Sequence, residues 1–158
     1  MATPADETTI APFTAFNFAV EIDVPNISPK LCHASFAECD GLEMTMDVKT
    51  IREGGNNAVQ VRLFGAVNYG TLTLKRGMTA NFDLWTWFDT LYEPAKATLR
   101  GLTTVTVFAA DGSTERARFQ LENCLPVKLK APPFNAKDGL VAIEEMQLAY
   151  ESMSIVRP

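Results

Sequence analysis

Apolar and polar residues alternate over unusually long stretches of this chain, and this pattern is the strongest constraint on its fold. The first such stretch places apolar residues at every second position: Phe16, Phe18, Val20, Ile22 and Val24. Successive side chains of a strand point to opposite faces, so a period of two predicts strands with one buried face. The same pattern predicts five further strands, at 42–49, 59–63, 71–75, 103–109 and 116–129.

One segment has helical spacing instead. Its apolar residues fall on a single stripe: Leu84, Trp85, Phe88, Leu91 and Tyr92. This spacing predicts one amphipathic helix, with Thr79 or Asn81 as its N-cap and Pro94 ending it.

The last segment, 141–150, changes phase. Val141 and Ile143 have the parity of one face, but Met146 and Leu148 have the opposite parity. A β-bulge at Glu144 and Glu145 would place all of them on the same face, and a helix over 140–153 is the competing interpretation. With Pro126 expected at an edge, at a bulge or where its strand leaves the sheet, the sequence predicts seven strands and one helix. The predicted fold is mainly β, a two-sheet β-sandwich or barrel with one α-helix.

Composition limits the function. The 158 residues include 14 Lys and Arg against 19 Asp and Glu, a net charge of −5, which argues against stable nucleic-acid binding on a basic face. No apolar run approaches the ~20 residues of a membrane span, so we expect cytoplasmic synthesis and no membrane insertion. Residues 1–12 are predicted to be a flexible N-terminal arm and 13–158 a single domain. Three cysteines are too few for a disulfide framework and are predicted to be small core residues.

Catalytic and metal motifs are missing from the sequence. His33 is the only histidine, and with Cys32 and Cys39 it falls short of a four-ligand zinc site. No nucleophile elbow, P-loop or dinucleotide-binding motif occurs. We therefore expect no enzyme activity and no metal or cofactor, and the residues point to binding or assembly.

Five short motifs occur in a specific order. They are FAECDGLE at 36–43, IREGGNN at 51–57, LFG at 63–65, YGTLTLKRG at 69–77 and LWTW at 84–87. Together, over about 13–153, they resemble the tail tube protein family of contractile phages, which includes the inner tube proteins of R-type pyocins and extracellular contractile injection systems. A type VI secretion tube subunit is the related alternative, and a monomeric ligand-binding β-barrel is the alternative from another class.

The resemblance implies an assembly. Subunits of this family join their strands edge to edge into a hexameric ring around a lumen, and the rings stack into a tube inside a contractile sheath. The implied partners are other copies of the chain, the sheath protein, baseplate and terminator proteins, and a cargo of protein effector or DNA. The implied location is a phage tail or phage tail-like particle, either cytoplasmic or released.

The resemblance also suggests three groups of site residues. The loop expected to reach the neighbouring ring comprises Ile51, Arg52, Glu53, Gly54, Gly55, Asn56 and Asn57. The polar strand faces expected to line the lumen comprise Glu43, Thr45, Asp47, Lys49, Gln60, Arg62, Thr104, Thr106, Arg116, Arg118, Gln120 and Glu122. The acids expected to face the sheath are Asp83, Asp89 and Glu93.

Overall fold

The computed structural model describes residues 12–26, 32–34, 36–55 and 58–157. These residues form ten strands and one helix. The strands are β1 (Phe18–Asp23), β2 (Cys32–Ala34), β3 (Glu38–Asp40), β4 (Met44–Ile51), β5 (Val61–Tyr69), β6 (Thr71–Gly77), β7 (Gly101–Phe108), β8 (Glu115–Lys130), β9 (Ile143–Ala149) and β10 (Ser152–Val156), and the helix is α1 (Asp83–Thr90).

Eight strands form one folded antiparallel sheet in the order β2-β1-β7-β8-β9-β6-β3, with β10 also paired to β8. The long strand β8 connects its two halves, because its first part pairs with β7 and β10 while Leu125–Lys130 pairs with β9. Asn123, with φ 55°, lies where the two parts meet. The register also shifts between Pro126 and Lys128, which confirms a bulge at this proline. The strands β4 and β5 form a separate hairpin.

The core lies between the two halves of the folded sheet and beneath α1. Its buried residues include Val20, Ile22, Leu72, Leu74, Leu84, Trp87, Val105, Leu121, Met146 and Leu148. The predicted alternation is confirmed in β1, β6, β7 and the first part of β8, whose inward positions supply most of this core. The architecture is therefore the predicted mainly β sandwich with one helix, and the folded sheet is not a closed barrel.

The predicted bulge at Glu144 and Glu145 is wrong, and so is the competing helix. β9 pairs with β6 in one unbroken register from Thr71 opposite Ala149 to Gly77 opposite Ile143. Glu144 itself points into the core at 1% exposure, in phase with Met146 and Leu148, whereas Val141 is 76% exposed. The phase change in the sequence therefore marks a buried carboxylate rather than a kink.

The helix is shorter than predicted and is capped differently. It ends at Thr90, and Tyr92 beyond it is exposed. The N-cap is Phe82, which makes no side-chain capping bond, so neither Thr79 nor Asn81 is the cap. The Asn81 Oδ1 instead accepts a hydrogen bond from the Asp83 backbone N–H at 3.3 Å. The sequence predicts seven strands, whereas the described residues form ten. The strands β2, β3 and β10 are too short for their sequence pattern to predict them.

Two cysteine side chains are described. Cys124 lies in the core and Cys39 packs partly buried against it, as expected for small apolar residues. Burial raises the pKa of the Cys39 thiol to about 11. The predictions for the side chains of Cys32 and His33, and for the arm at residues 1–11, lie outside the described residues.

Candidate assembly surfaces

The hairpin of β4 and β5 projects from the domain without cover from its own chain. Every residue of β4 is exposed, and in β5 only Gly65 and Tyr69 are partly buried. In the part of the chain that the structure describes, each strand pairs only with the other. The prediction that the strand at 42–49 has one buried face is therefore wrong for the single chain.

The root of the hairpin is held by Tyr150, which follows β9. Its hydroxyl donates to the Gly41 carbonyl at 2.8 Å and accepts from the Glu43 backbone N–H at 3.2 Å. The Tyr150 ring also lies 5.7 Å from the Tyr69 ring, centroid to centroid. Gly41 has φ +101°, and a Cβ there would lie 2.0 Å from the Thr71 carbonyl oxygen, so only glycine fits this turn. Burial raises the pKa of Tyr150, which keeps the hydroxyl protonated as a donor.

An irregularity in the hairpin decides which side chains share a face. Met46 pairs with Val67, but Val48 pairs with Phe64, so Gly65 and Ala66 together oppose Asp47. A Cβ on Gly65 would lie 2.5 Å from the Asp47 carbonyl oxygen, and this close approach explains the glycine. Because of this extra residue, the side chains from Val61 to Phe64 point to the faces opposite to those that an unbroken alternation from Val67 would give them.

One hairpin face is apolar and the other is mixed. Directly opposed residues of antiparallel strands share a face, so the apolar face carries Met44, Met46, Val48, Phe64 and Val67, with Thr50 and Arg62 at its tip end. The mixed face carries Thr45, Lys49, Ile51, Val61, Leu63 and Asn68, and the Asn68 amide donates to the Asp47 carboxylate at 2.9 Å. The expectation that Arg62 shares a face with Thr45, Asp47 and Lys49 is therefore wrong.

The loop predicted to reach a neighbouring ring lies at the far end of this hairpin. Ile51 ends β4, and Arg52, Glu53, Gly54 and Gly55 follow as an exposed turn. Asn56 and Asn57 lie outside the described residues. The loop thus occupies the end of the hairpin most distant from the root at Tyr150.

A second group of predicted residues lies on the sheet face opposite the core. Thr104 pairs with Gln120, and Thr106 pairs with Arg118. Two further residues belong to the same row and are not predicted from the sequence: Glu21 pairs with Thr104, and Ser154 pairs with Gln120. Ser154 lies in β10, which is too short for its sequence pattern to predict a strand.

The remaining predicted lumen residues flank these two groups. Glu43 and Gln60 lie just outside β4 and β5, respectively, and both are exposed. Arg116 and Glu122 are exposed in β8 with the same parity as Gln120. The Arg118 guanidinium is already paired with Glu115 at 2.7 Å, which reduces the free positive charge of this surface.

The three acids predicted to face a sheath are not equivalent. Asp89 is exposed, and Glu93 is exposed and pairs with Lys96 at 2.7 Å. Asp83, in contrast, accepts from Arg76 at 2.6 Å, and its side chain is largely buried. Asp83 therefore belongs to an internal ion pair and is not a free surface charge, which corrects its assignment.

The internal ion pair is part of a buried cluster that the sequence analysis missed. The Arg76 Nε donates to Glu144 Oε1 at 2.5 Å, and the indole N–H of Trp85 donates to the other Glu144 oxygen at 2.9 Å. Arg76 is 5% exposed, and its guanidinium lies 5.8 Å from the centre of the Phe36 ring. The cluster joins α1 to β6 and β9 through groups that would be costly to leave unpaired.

Within the described part of the chain, no group of three or more His, Cys, Asp and Glu side chains is arranged to hold a metal ion. None of the helices found there is long and apolar enough to cross a membrane. The features that stand out are exposed strands and surfaces.

Comparisons with known proteins agree with this architecture. A chain from the anti-feeding prophage (AFP) baseplate is 26% identical, with a TM-score of 0.83 over 94% of this chain and 97% of that chain. A chain from the extended PVC sheath-tube complex, an extracellular contractile injection system, is 18% identical, with a TM-score of 0.79 over the whole of both chains. Hcp1 from Flavobacterium johnsoniae aligns less well, at 12% identity and a TM-score of 0.50 over 89% of this chain and 96% of that chain.

The sequence comparison identifies the family. No match was found among curated protein sequences. The family model described as the T4-like virus tail tube protein gp19 matches residues 14–154, which is nearly the whole chain and includes the hairpin, the helix and all but the last strand residues. The chain therefore belongs to the T4-like tail tube protein family.

Proposed function

We propose that this tail tube protein forms hexameric rings that stack into the inner tube of a phage tail or contractile injection particle. The observation that carries the proposal is the β4 and β5 hairpin, whose two faces are exposed in the single chain. Among the described residues each of its strands pairs only with the other, so each strand has one outer edge without a strand partner there. Long exposed strands of this kind need a partner, and a ring of copies supplies one at every edge.

The polar faces of β7 and β8 and the mixed face of the hairpin are proposed to line the lumen. Without Arg62, the predicted set contains three positive residues, Lys49, Arg116 and Arg118, and three negative residues, Glu43, Asp47 and Glu122. A balanced lining neither binds a polyanion strongly nor repels it, which suits the passage of either protein or DNA cargo. With the additional members Glu21 and Ser154, the proposed lining has three positive and four negative residues, which leaves it close to neutral.

The hairpin tip is proposed to make the contact between rings. Arg52 and Glu53 are exposed at the far end of the hairpin, where they can form ion pairs with a neighbouring ring. Both residues are followed by glycines in open space, where an added Cβ would meet nothing within 4 Å, so the tip has room to adapt to a partner. The stacking contact would therefore form only when a second ring is present.

The helix side is proposed to face the sheath through Asp89 and Glu93. These exposed acids would make weak, salt-sensitive contacts that release when the sheath contracts. Baseplate and terminator proteins would cap the two ends of the tube, and the structurally similar chains come from a baseplate and a sheath-tube complex. On this proposal the chain is made in the cytoplasm and acts mechanically, as a stiff tube without catalytic turnover.

Deleting Gly54–Asn57 tests the proposal. Negative-stain microscopy of the wild-type chain produced with its baseplate and sheath partners should show rods, whereas the deletion should give single rings that fail to stack. The matched control is a double substitution in the β7 to β8 turn, Gly112→Ser with Ser113→Gly, which alters another exposed turn. Normal rods from the deletion would refute the stacking role, and a wild-type chain that stays monomeric under these conditions would refute the tube.

A further inference from the structure

A second exposed apolar surface lies in the loop between β8 and β9. This loop forms a cavity of about 400 Å³ with mainly apolar walls, supplied by Pro132, Phe134, Leu140, Val141 and Ile143. Phe134 is 80% exposed and Leu140 is 83% exposed. Asn135 and Asp138 supply the polar part of the wall. Apolar side chains held this far out of the core are typical of an interaction surface.

The chain itself carries a surface that matches this cavity. The apolar hairpin face is a projecting ridge, with Phe64 at 88% exposure, and the loop surface is concave. Both remain exposed in one chain, so neither covers the other. A ridge and a cavity at different places on the same molecule can both be covered by further copies of the chain, in a head-to-tail contact.

Charge complementarity supports the same pairing. Arg62 lies at the tip end of the apolar hairpin face, and Asp138 lies in the cavity wall. Neither side chain has an ion pair within residues 12–26, 32–34, 36–55 and 58–157, where Asp138 accepts only from the Asn135 amide at 2.6 Å. One unpaired positive charge on the ridge thus matches one unpaired negative charge in the cavity.

We propose that the apolar hairpin face of one copy docks into the 132–143 loop surface of a second copy, with Arg62 of the first pairing with Asp138 of the second. This inference rests on the proposed tube and names the surface that receives the hairpin. The nine-residue β5 is about 30 Å long, so one two-stranded face offers only on the order of 300 Å². A stable pair needs about 800 Å² on each partner, so this contact holds copies together only alongside the tip and the strand edges.

Photo-crosslinking locates the contact directly. A benzophenone amino acid replaces Phe64, which packs on no core residue, and assembled tubes are irradiated. We expect dimers and higher ladders on a denaturing gel, with crosslinked peptides from 132–143 of another copy. Crosslinks that map to any other segment, or to a protein other than this chain, would overturn the docking site. Tubes that still lose stacking on deletion of the tip would show that the proposed function survives that failure.

Charge reversal tests the residue pair. Arg62→Asp and Asp138→Arg should each lower the yield of sedimentable tubes by about tenfold or more, because an opposed pair becomes a like-charged pair at every contact. The double variant should recover most of the wild-type yield. Lys137→Asp, next to the cavity wall, is the matched control and should stay near wild type. An equal loss in the control, or no recovery in the double variant, would refute the pairing.

Discussion

Replacing Glu144 with methionine should destabilise the domain strongly, although the new side chain is apolar and similar in size. Glu144 is 1% exposed and holds both the Arg76 guanidinium and the Trp85 indole N–H. Breaking a buried ion pair by removing one partner typically costs about 3–5 kcal/mol. Arg76 retains Asp83 at 2.6 Å and the Asn81 carbonyl at 3.2 Å, so we expect the lower value, about 3 kcal/mol.

That free energy predicts a large change in the melting temperature. For a domain of this length, 1 kcal/mol corresponds to about 2–4 °C, so Glu144→Met should lower the Tm by about 6–12 °C. The measurement is thermal unfolding of the unassembled chain by circular dichroism or calorimetry. Glu145→Met is the matched control, because Glu145 points to the opposite face. There the Glu145 carboxylate lies 3.9 Å from the Lys128 Nζ. We expect its effect to stay below about 1 kcal/mol.

The double variant Arg76→Met with Glu144→Met tests whether Arg76 holds both acids in the cluster. It leaves the Trp85 N–H unpaired and also removes the cation that pairs with the largely buried Asp83 carboxylate at 2.6 Å. A buried polar group left unpaired costs about 1–3 kcal/mol, so the double variant should be less stable than Glu144→Met alone. If Glu144→Met and Glu145→Met have similar effects, or if the double variant is as stable as the single one, the buried cluster does not hold the helix as described.

Two further predictions concern surface groups. Hydrogen bonds from Thr114 and Ser113 lower the pKa of Asp111 from 3.8 to about 2, so this carboxylate stabilises the β7 to β8 turn above about pH 4 and loses that effect as the pH falls toward 2. Asp111→Asn should therefore lower the Tm near neutral pH, and its difference from wild type should shrink in acid; a difference independent of pH would contradict this linkage. Asp89→Asn with Glu93→Gln should reduce co-sedimentation of the sheath protein at low salt while leaving bare tubes intact, and unchanged sheath occupancy would count against the sheath-facing surface.

The sequence predicts the fold well where a strand has one face in its own core. In β1, β7 and the first part of β8 the period of two gives the inward residues correctly, since Val20, Val105 and Leu121 are buried where expected. The pattern has no means of telling whether an apolar face is covered by its own chain. In β4 the alternation is just as regular, yet Met44 and Val48 stay exposed.

The errors have identifiable physical causes. A single extra residue at Gly65 and Ala66 reverses the facing of Arg62, and the only trace of it in the sequence is a glycine within a strand. The buried Glu144 was misinterpreted as the site of a bulge, because a charged residue at an inward position contradicts the simple apolar pattern. Tyr150, which anchors the hairpin root, has no local sequence feature that distinguishes it from another core aromatic residue.

A hairpin that is exposed before assembly must also avoid pairing with the wrong partner. Its mixed face carries Lys49 and the bonded pair Asp47 and Asn68, so it does not present the continuous apolar surface that promotes strand aggregation. The irregularity at Gly65 interrupts the ladder near its middle, which makes the edge a poor template for unrelated strands. The hairpin thus keeps enough apolar surface for a specific contact but too little regular edge for an indiscriminate one. That combination suits a subunit that stays unassembled until a complementary copy is presented to it.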